Sequence, residues 1–218
     1  MLSVAIPSTV TNIGEDAFVD SFSLTNVTFS DGSSSLTEIG MYAFGLCTSL
    51  GSVTFPSNTD IGDFAFLNCS GLGNITFVNG ESMGEYTFAE CFALTNIYLW
   101  GEATGQSNSF NEDSSAVVYY SPKANEPEFS IETGVPGVEW SAQIQTADGN
   151  FGVKNNVFGF NVVSTNSIPM PIVIQGCTNL NSSVWTSLQS VTLTNGSFFF
   201  TDIEWTNYPE RFYRISAP

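Results

Sequence analysis

The sequence predicts a mainly β chain in which a solenoid of about five coils of 22 residues precedes a small β-sandwich-like domain. One pattern of 17 residues occurs four times at nearly constant spacing. The composition favours Ser, Thr, Asn, Val and Phe, which are typical of strands and turns rather than helices. Residues 141–218 contain six short strand-like runs separated by turn signals, as expected of a sandwich.

The repeated pattern is clearest in "IGDFAFLNCSGLGNITF", residues 61–77. Related strings begin at Ile13, Ile39 and Met83, so the step is 22 residues except for a step of 26 between the first two. The extra residues fall in the turn-rich "SDGSSS" stretch. A single unit of this size cannot bury its own apolar face, so the repeat predicts stacked coils that share one core.

Each column of the aligned repeat has a predicted role. The alternating tails such as "LTNVTF" and "LGNITF" predict half-exposed strands. The glycine after each Ile or Met predicts either a positive φ or a close backbone approach at a corner. Cys47, Cys69 and Cys91 are interpreted as buried free thiols, with a disulfide between adjacent coils as the alternative. The aromatic core column consists of Phe18, Phe44, Phe66, Phe88 and Phe110.

The consensus "IGxxAFxxCxxLxxVxF" resembles the BspA-type leucine-rich repeats, a family of bacterial and protozoan surface and secreted proteins. The resemblance covers about residues 1–122. It implies a leucine-rich-repeat solenoid that acts as an extracellular interaction module, as in relatives similar to adhesins. No residue motif carries over a particular partner.

The remainder of the chain divides in two. Residues 123–140 are rich in Pro, Gly and Glu and predict a linker or cap. Residues 141–218 are expected to form the β-sandwich-like domain, with Trp185 and Trp205 in its core. The stretches "DGSSS", "NEDSS" and "ADGN" carry calcium-type oxygens without a known ligand spacing, and we interpret them as turns.

Charge and composition exclude several functions. The net charge is −17, and residues 1–122 carry 13 acids and no base, so nucleic-acid binding is not expected. The sequence contains no run of about 18 apolar residues, so it does not predict membrane insertion. The chain has no His, which removes the usual nucleophile–base pairs and His-ligated metal sites. We therefore expect no catalytic residues, no metal and no cofactor.

These observations predict a non-catalytic extracellular protein-binding or adhesion module. A structural spacer or display stalk without a ligand, and glycan binding through exposed aromatics, remain the alternatives. The family resemblance implies a secreted or cell-surface location. The chain begins inside a repeat and lacks a signal peptide, which suggests the loss of an N-terminal part.

A ligand is expected on the outward face of the repeat strands, whose outward residues are two apart. These positions are uncharged and rich in hydroxyl and amide groups, and two aromatics follow at one end. The alternative is that the two aromatics pack under the linker. The candidate ligand residues are Asn74, Thr76, Asn96, Tyr98 and Trp100.

Overall fold

The computed structural model divides the chain into two compact units, Met1–Glu139 and Trp140–Pro218. Most of the "SDGSSS" and "NEDSS" stretches lies outside the described residues. The structure describes residues 2–29, 35–110, 115–121, 124, 129, 133–164, 170–181, 184–194 and 196–216.

The first unit is a solenoid whose coils each contribute a strand to a ladder of parallel strands, here called the long ladder. Its first two strands pair with each other, and the other five form one sheet in sequence order. The repeat tails therefore form the strands that their alternation predicts. The strands are β1 (Leu2–Ile6), β3 (Leu24–Phe29), β5 (Ser52–Thr54), β7 (Asn74–Phe77), β9 (Asn96–Leu99), β11 (Val117–Tyr120) and β12 (Gly137–Glu139).

A second parallel sheet, the short ladder, runs through the corner that precedes the glycine column of the coils. Ile13, Ile39, Ile61 and Met83 pair in register and point into the core. The sequence pattern alone does not indicate these strands, because each contributes only two or three residues. They are β2 (Asn12–Ile13), β4 (Glu38–Ile39), β6 (Asp60–Ile61), β8 (Glu81–Met83) and β10 (Ala103–Thr104).

The predicted phenylalanine column is confirmed as the centre of the core. Consecutive rings from Phe18 to Phe110 stack with centroids 5.0–5.3 Å apart. Phe55 and Phe77 form a second stack at 5.4 Å and meet the first one edge to face. Burying each such ring contributes about 1.5–3 kcal/mol, so the coils are held together mainly by these columns.

The glycine column reflects a close backbone approach, and the alternative of a positive φ is wrong for it. A Cβ on Gly40 would lie 2.7 Å from the backbone nitrogen of Glu15 in the preceding coil, and one on Gly62 would lie 3.0 Å from that of Met41. At Gly14, in the first coil, nothing lies within 4 Å. The glycine is thus required by the stacking of coils and not by the turn itself.

Two non-glycine residues in each of four coils adopt left-handed backbone conformations. Tyr42 and Leu46 have φ of 53° and 61°, and the equivalent pairs in the other coils are similar. The left-handed conformation of a non-glycine residue raises the backbone energy by about 1–2 kcal/mol. The conformation directs each N–H along the solenoid axis, so that Leu46 N donates to Leu67 O at 2.8 Å and Asn68 N to Ala89 O at 2.9 Å. These inter-coil hydrogen bonds offset the backbone strain.

The predicted linker contains part of the solenoid. Phe129 is buried in the solenoid core beside Phe77 and Phe110, and Val135 joins the same cluster. Residues 137–139 are not linker, because β12 pairs in parallel with β11. The segment therefore covers the last coil with its own apolar side chains.

The second unit consists of two antiparallel sheets around a separate core, as expected of a sandwich-like domain. One sheet contains β13 (Gln143–Gln145), β14 (Gly152–Lys154), β15 (Val157–Val163) and β18 (Ser197–Asp202). The other contains β16 (Met170–Cys177), β17 (Thr186–Leu193) and β19 (Phe212–Ser216), and a 3-10 turn spans Trp205–Asn207. All six predicted strand runs form strands, and β14 is additional.

The prediction that Trp185 and Trp205 anchor this core is wrong. Both indoles are only partly buried: Trp185 lies 4.3 Å from the Arg214 guanidinium, and Trp205 Nε1 donates to Asn156 O. The core is instead built around Phe160 and Phe200. The "ADGN" stretch is a turn, in which Asp148 Oδ1 accepts a hydrogen bond from Asn150 N at 2.9 Å.

We predict that Gly40→Ala destabilises the protein by about 1–3 kcal/mol, the usual cost of overpacking, because the new methyl group would meet backbone of the preceding coil. Gly14→Ala is the matched control, since the same atom would enter open space. Urea titration of both variants measures the difference. Equal losses would show that the glycine is required by its own turn.

Candidate protein-binding face

The parallel register of the long ladder brings the predicted ligand residues into rows. Ser52, Asn74 and Asn96 lie side by side, and Asn96 Nδ2 donates to Asn74 Oδ1 at 2.8 Å. The next row contains Thr54 and Thr76. We call the outward surface of β3, β5, β7 and β9 the sheet face. It presents amide and hydroxyl groups from successive coils at the spacing of neighbouring strands.

Tyr98 does not belong to the accessible part of the sheet face, so its interpretation as an exposed ligand residue is wrong. Its side chain lies in the expected outward column beside Thr76 but is only 1% exposed. The ring stacks with Trp100 at 6.0 Å and with Tyr119 at 5.7 Å. Burial and the neighbouring Tyr119 raise the pKa of the Tyr98 phenol well above its usual range.

Trp100 is partly buried in the same stack, so little aromatic surface is available at this end. Among the described residues of the solenoid, the strongly exposed aromatic side chains are Phe22 and Phe92, which belong to the first and fourth repeats. They are too far apart in the stack to form one aromatic platform. Ligand contact by Asn74, Thr76, Asn96 and Trp100 stays a prediction.

The strands of the sheet face contain no acid, and several of the described acids lie on other surfaces of the solenoid. Glu38 and Asp60 are neighbours on the short ladder, where Asn12 and Ser82 donate hydrogen bonds to them at 2.6 and 2.5 Å. Asp63 Oδ1 accepts from Glu85 N in the adjoining turn. The uncharged composition of the sheet face is therefore a local property within a strongly acidic unit.

The cysteine column is composed of free thiols, as the sequence predicts. Cys47, Cys69 and Cys91 are buried, and each Sγ donates to the carbonyl oxygen of a core phenylalanine in the preceding coil, at 3.1–3.3 Å. The adjacent Cys69 thiol and burial raise the pKa of Cys47 far above its usual range. A thiol held in this way is a poor nucleophile, because the thiolate is the reactive form.

Glu81 is a buried carboxyl group that the sequence does not single out. It is 1% exposed and occupies the column in which the preceding coil has Thr59. Its Oε1 accepts hydrogen bonds from the backbone nitrogens of Val78 and Asn79 at 2.9 and 3.0 Å, whereas Oε2 has no hydrogen-bond partner among the described residues. Burial raises the pKa of this carboxyl, and its contacts indicate a role in closing a turn.

No group of three or more His, Cys, Asp or Glu side chains within the described ranges is arranged to hold a metal ion. In the same part of the chain, no helix is both long and apolar enough to cross a membrane.

The comparison with family models decides the identity of the solenoid. A model described as the BspA type leucine rich repeat region matches residues 1–117 in six copies. The chain belongs to the BspA-type leucine-rich repeat family. Members of this family are typically non-catalytic binding scaffolds and are generally surface-associated. The solenoid is therefore, in general terms, a protein-interaction module.

Among solved structures, the chain is similar to a T. pallidum leucine rich repeat protein, TpLRR, with 26% identity and a TM-score of 0.47. The match covers 54% of this chain and 57% of that one, so the chain spans little more than half the length of TpLRR. No curated protein sequence matches the chain.

The buried carboxyl group of Glu81 predicts an unusual pH dependence of the free energy of unfolding. Because its folded pKa lies above the unfolded value of about 4.3, its contribution to stability is fully present at low pH and is lost as pH rises through the folded pKa. The stability of the wild type relative to Glu81→Gln should therefore fall as pH rises from about 4 toward neutrality. Urea titrations across this range measure the difference, and Glu102→Gln, at an exposed position, controls for net charge. A pH-independent difference for Glu81→Gln would contradict the assignment.

Proposed function

We propose that this chain is an extracellular adhesion-type module that binds a protein ligand through the sheet face, without catalysis. The observation that carries the proposal is the absence of charge on a face of a unit whose sequence holds 13 acids and no base up to residue 122. Solvated strand surfaces commonly carry charged side chains, which raise solubility and protect against association. Their exclusion from one face favours contact with a partner there.

The geometry of the sheet face suits an extended protein surface. Asn26, Thr28, Ser52 and Thr54 are exposed, and Asn74 and Asn96 are half-buried and joined by a hydrogen bond. The amide and hydroxyl groups can both donate and accept hydrogen bonds, and ladder pairing holds their backbones rigidly. A rigid surface lowers the entropic cost of association.

Secretion or display on the cell surface forms part of this proposal. It is supported by the general surface association of the family and by the acidic, His-free composition, which suits a solvated module. The buried free thiols fit it as well, since three reduced cysteines kept from solvent do not need partners in an oxidising compartment.

The test is binding of the whole chain to a panel of immobilised extracellular matrix proteins, measured by biolayer interferometry. Thr54→Glu places a charge in the middle of the sheet face at an exposed position. We expect it to weaken a saturable interaction by about tenfold or more, equivalent to about 1.4 kcal/mol, without changing the melting temperature. Thr104→Glu adds the same charge at an exposed position of the short ladder and should leave binding unchanged.

An equal loss for both variants would indicate a general charge effect and would contradict binding through the sheet face. A saturable interaction with glycans alone would favour the glycan alternative. Absence of any saturable ligand would favour a structural spacer.

A further inference from the structure

The second unit contains a cleft of about 620 Å³ between the end of β16, the start of β17 and the segment 204–211. This volume lies in the range of small-molecule sites. Its lining combines apolar and polar surface, and its polar residues are Thr178, Asn179, Thr186, Glu204, Tyr208 and Arg211. Asn179 and Glu204 are exposed at its edge, and the side chain of Arg211 is only 10% exposed.

Arg211 has hydrogen-bonding capacity that the surrounding described residues do not use. Its buried Nη1 forms an ion pair with Asp202 Oδ2 at 3.0 Å whose geometry is not that of a hydrogen bond, and no hydrogen bond joins the guanidinium to the described residues. Asp202 is already engaged, since Oδ2 accepts from the Tyr213 hydroxyl at 2.7 Å and Oδ1 from Glu204 N at 2.8 Å. Because Nη1 is buried against Asp202, an acceptor entering the cleft would meet the remaining donors of the guanidinium.

The guanidinium is held flat between two neighbours. The Tyr208 ring lies 4.2 Å from the Arg211 Cζ atom, and a Cβ placed on Gly176 would approach Arg211 Nε at 3.4 Å. A planar group fixed in this way presents its donors as a rigid fork, which suits two acceptor oxygens on neighbouring atoms.

The charges around the cleft disfavour an anion. Asp202 neutralises Arg211 at 3.0 Å, and Glu204 adds a negative charge to the lining. The chain as a whole carries −17, which repels anions at longer range. The cleft therefore favours a neutral ligand. Such a ligand would accept hydrogen bonds from the guanidinium and donate hydrogen bonds to Glu204 and Asn179.

From these features we infer that the cleft binds a neutral saccharide, with adjacent hydroxyl groups on the Arg211 fork and further hydroxyls on Glu204 and Asn179. A sugar hydroxyl both accepts and donates, so one ligand meets both requirements. The site lies wholly in the second unit and is independent of the function proposed for the sheet face. It gives the C-terminal unit of this repeat protein a binding role of its own.

The test is saturation-transfer NMR on the full chain with glucose, galactose and N-acetylglucosamine, and with glucuronate as an anionic analogue. Thr186→Trp fills the cleft from an exposed strand position, and Ser190→Trp places the same side chain at an exposed position of β17 outside the cleft. Arg211→Lys keeps a positive charge opposite Asp202 but removes the planar fork. Melting temperatures confirm that each variant is folded.

We expect at least one neutral sugar to bind the wild type and Ser190→Trp, and to bind Thr186→Trp and Arg211→Lys about tenfold more weakly or not at all. Three results would overturn the inference. They are no neutral sugar bound at millimolar concentration, tighter binding of glucuronate than of the neutral sugars, and binding that survives both cleft variants.

Discussion

The structure depends on the hydrogen-bonded spacing between coils. Parallel strands of a sheet lie about 4.8 Å apart, and both ladders impose this spacing on every residue of the repeat. A side chain therefore has its equivalent in the next coil as its nearest neighbour. The flat rings of the phenylalanine column satisfy this condition, since their centroids are 5.0–5.3 Å apart and nearly parallel.

The same spacing explains features that would be unfavourable in an isolated coil. Gly40 and Gly62 are required because the preceding backbone passes where a Cβ would lie. Leu46 and Asn68 accept left-handed conformations because their N–H groups then reach carbonyls of the next coil. The cysteine column fits because a thiol is small and donates to the carbonyl beneath it. Each of these residues is stabilised by its neighbours and not by its own turn.

The repetition of the sequence made the solenoid predictable. Inward columns such as Phe44 and Phe66, and the strands of the long ladder, follow directly from the 22-residue step. The short ladder, the left-handed turns and Glu81 carry no such signal, because two-residue strands and backbone dihedral angles leave no periodic pattern. Tyr98 shows a different limit: alternation places it outward, but its aromatic neighbours bury it. In the second unit the strands were predictable from their turns. The core was not, because the size of Trp185 and Trp205 says nothing about which face they occupy.

The functions proposed for this chain depend on rigid surfaces and require no reactive centre. The solenoid offers an uncharged face on an acidic body, and its membership of a scaffold family agrees with recognition of a protein. The sheet face is rigid because each coil is held by its neighbours. The stacking of coils is therefore the central claim about the solenoid. Its most direct test is the stability of Phe66→Ala compared with Phe18→Ala, measured by urea unfolding. Phe66 stacks between two rings and is buried, whereas Phe18 stacks on one ring and is partly exposed. The account predicts a loss of about 3–5 kcal/mol for Phe66→Ala and a clearly smaller loss for Phe18→Ala, and equal losses would contradict it.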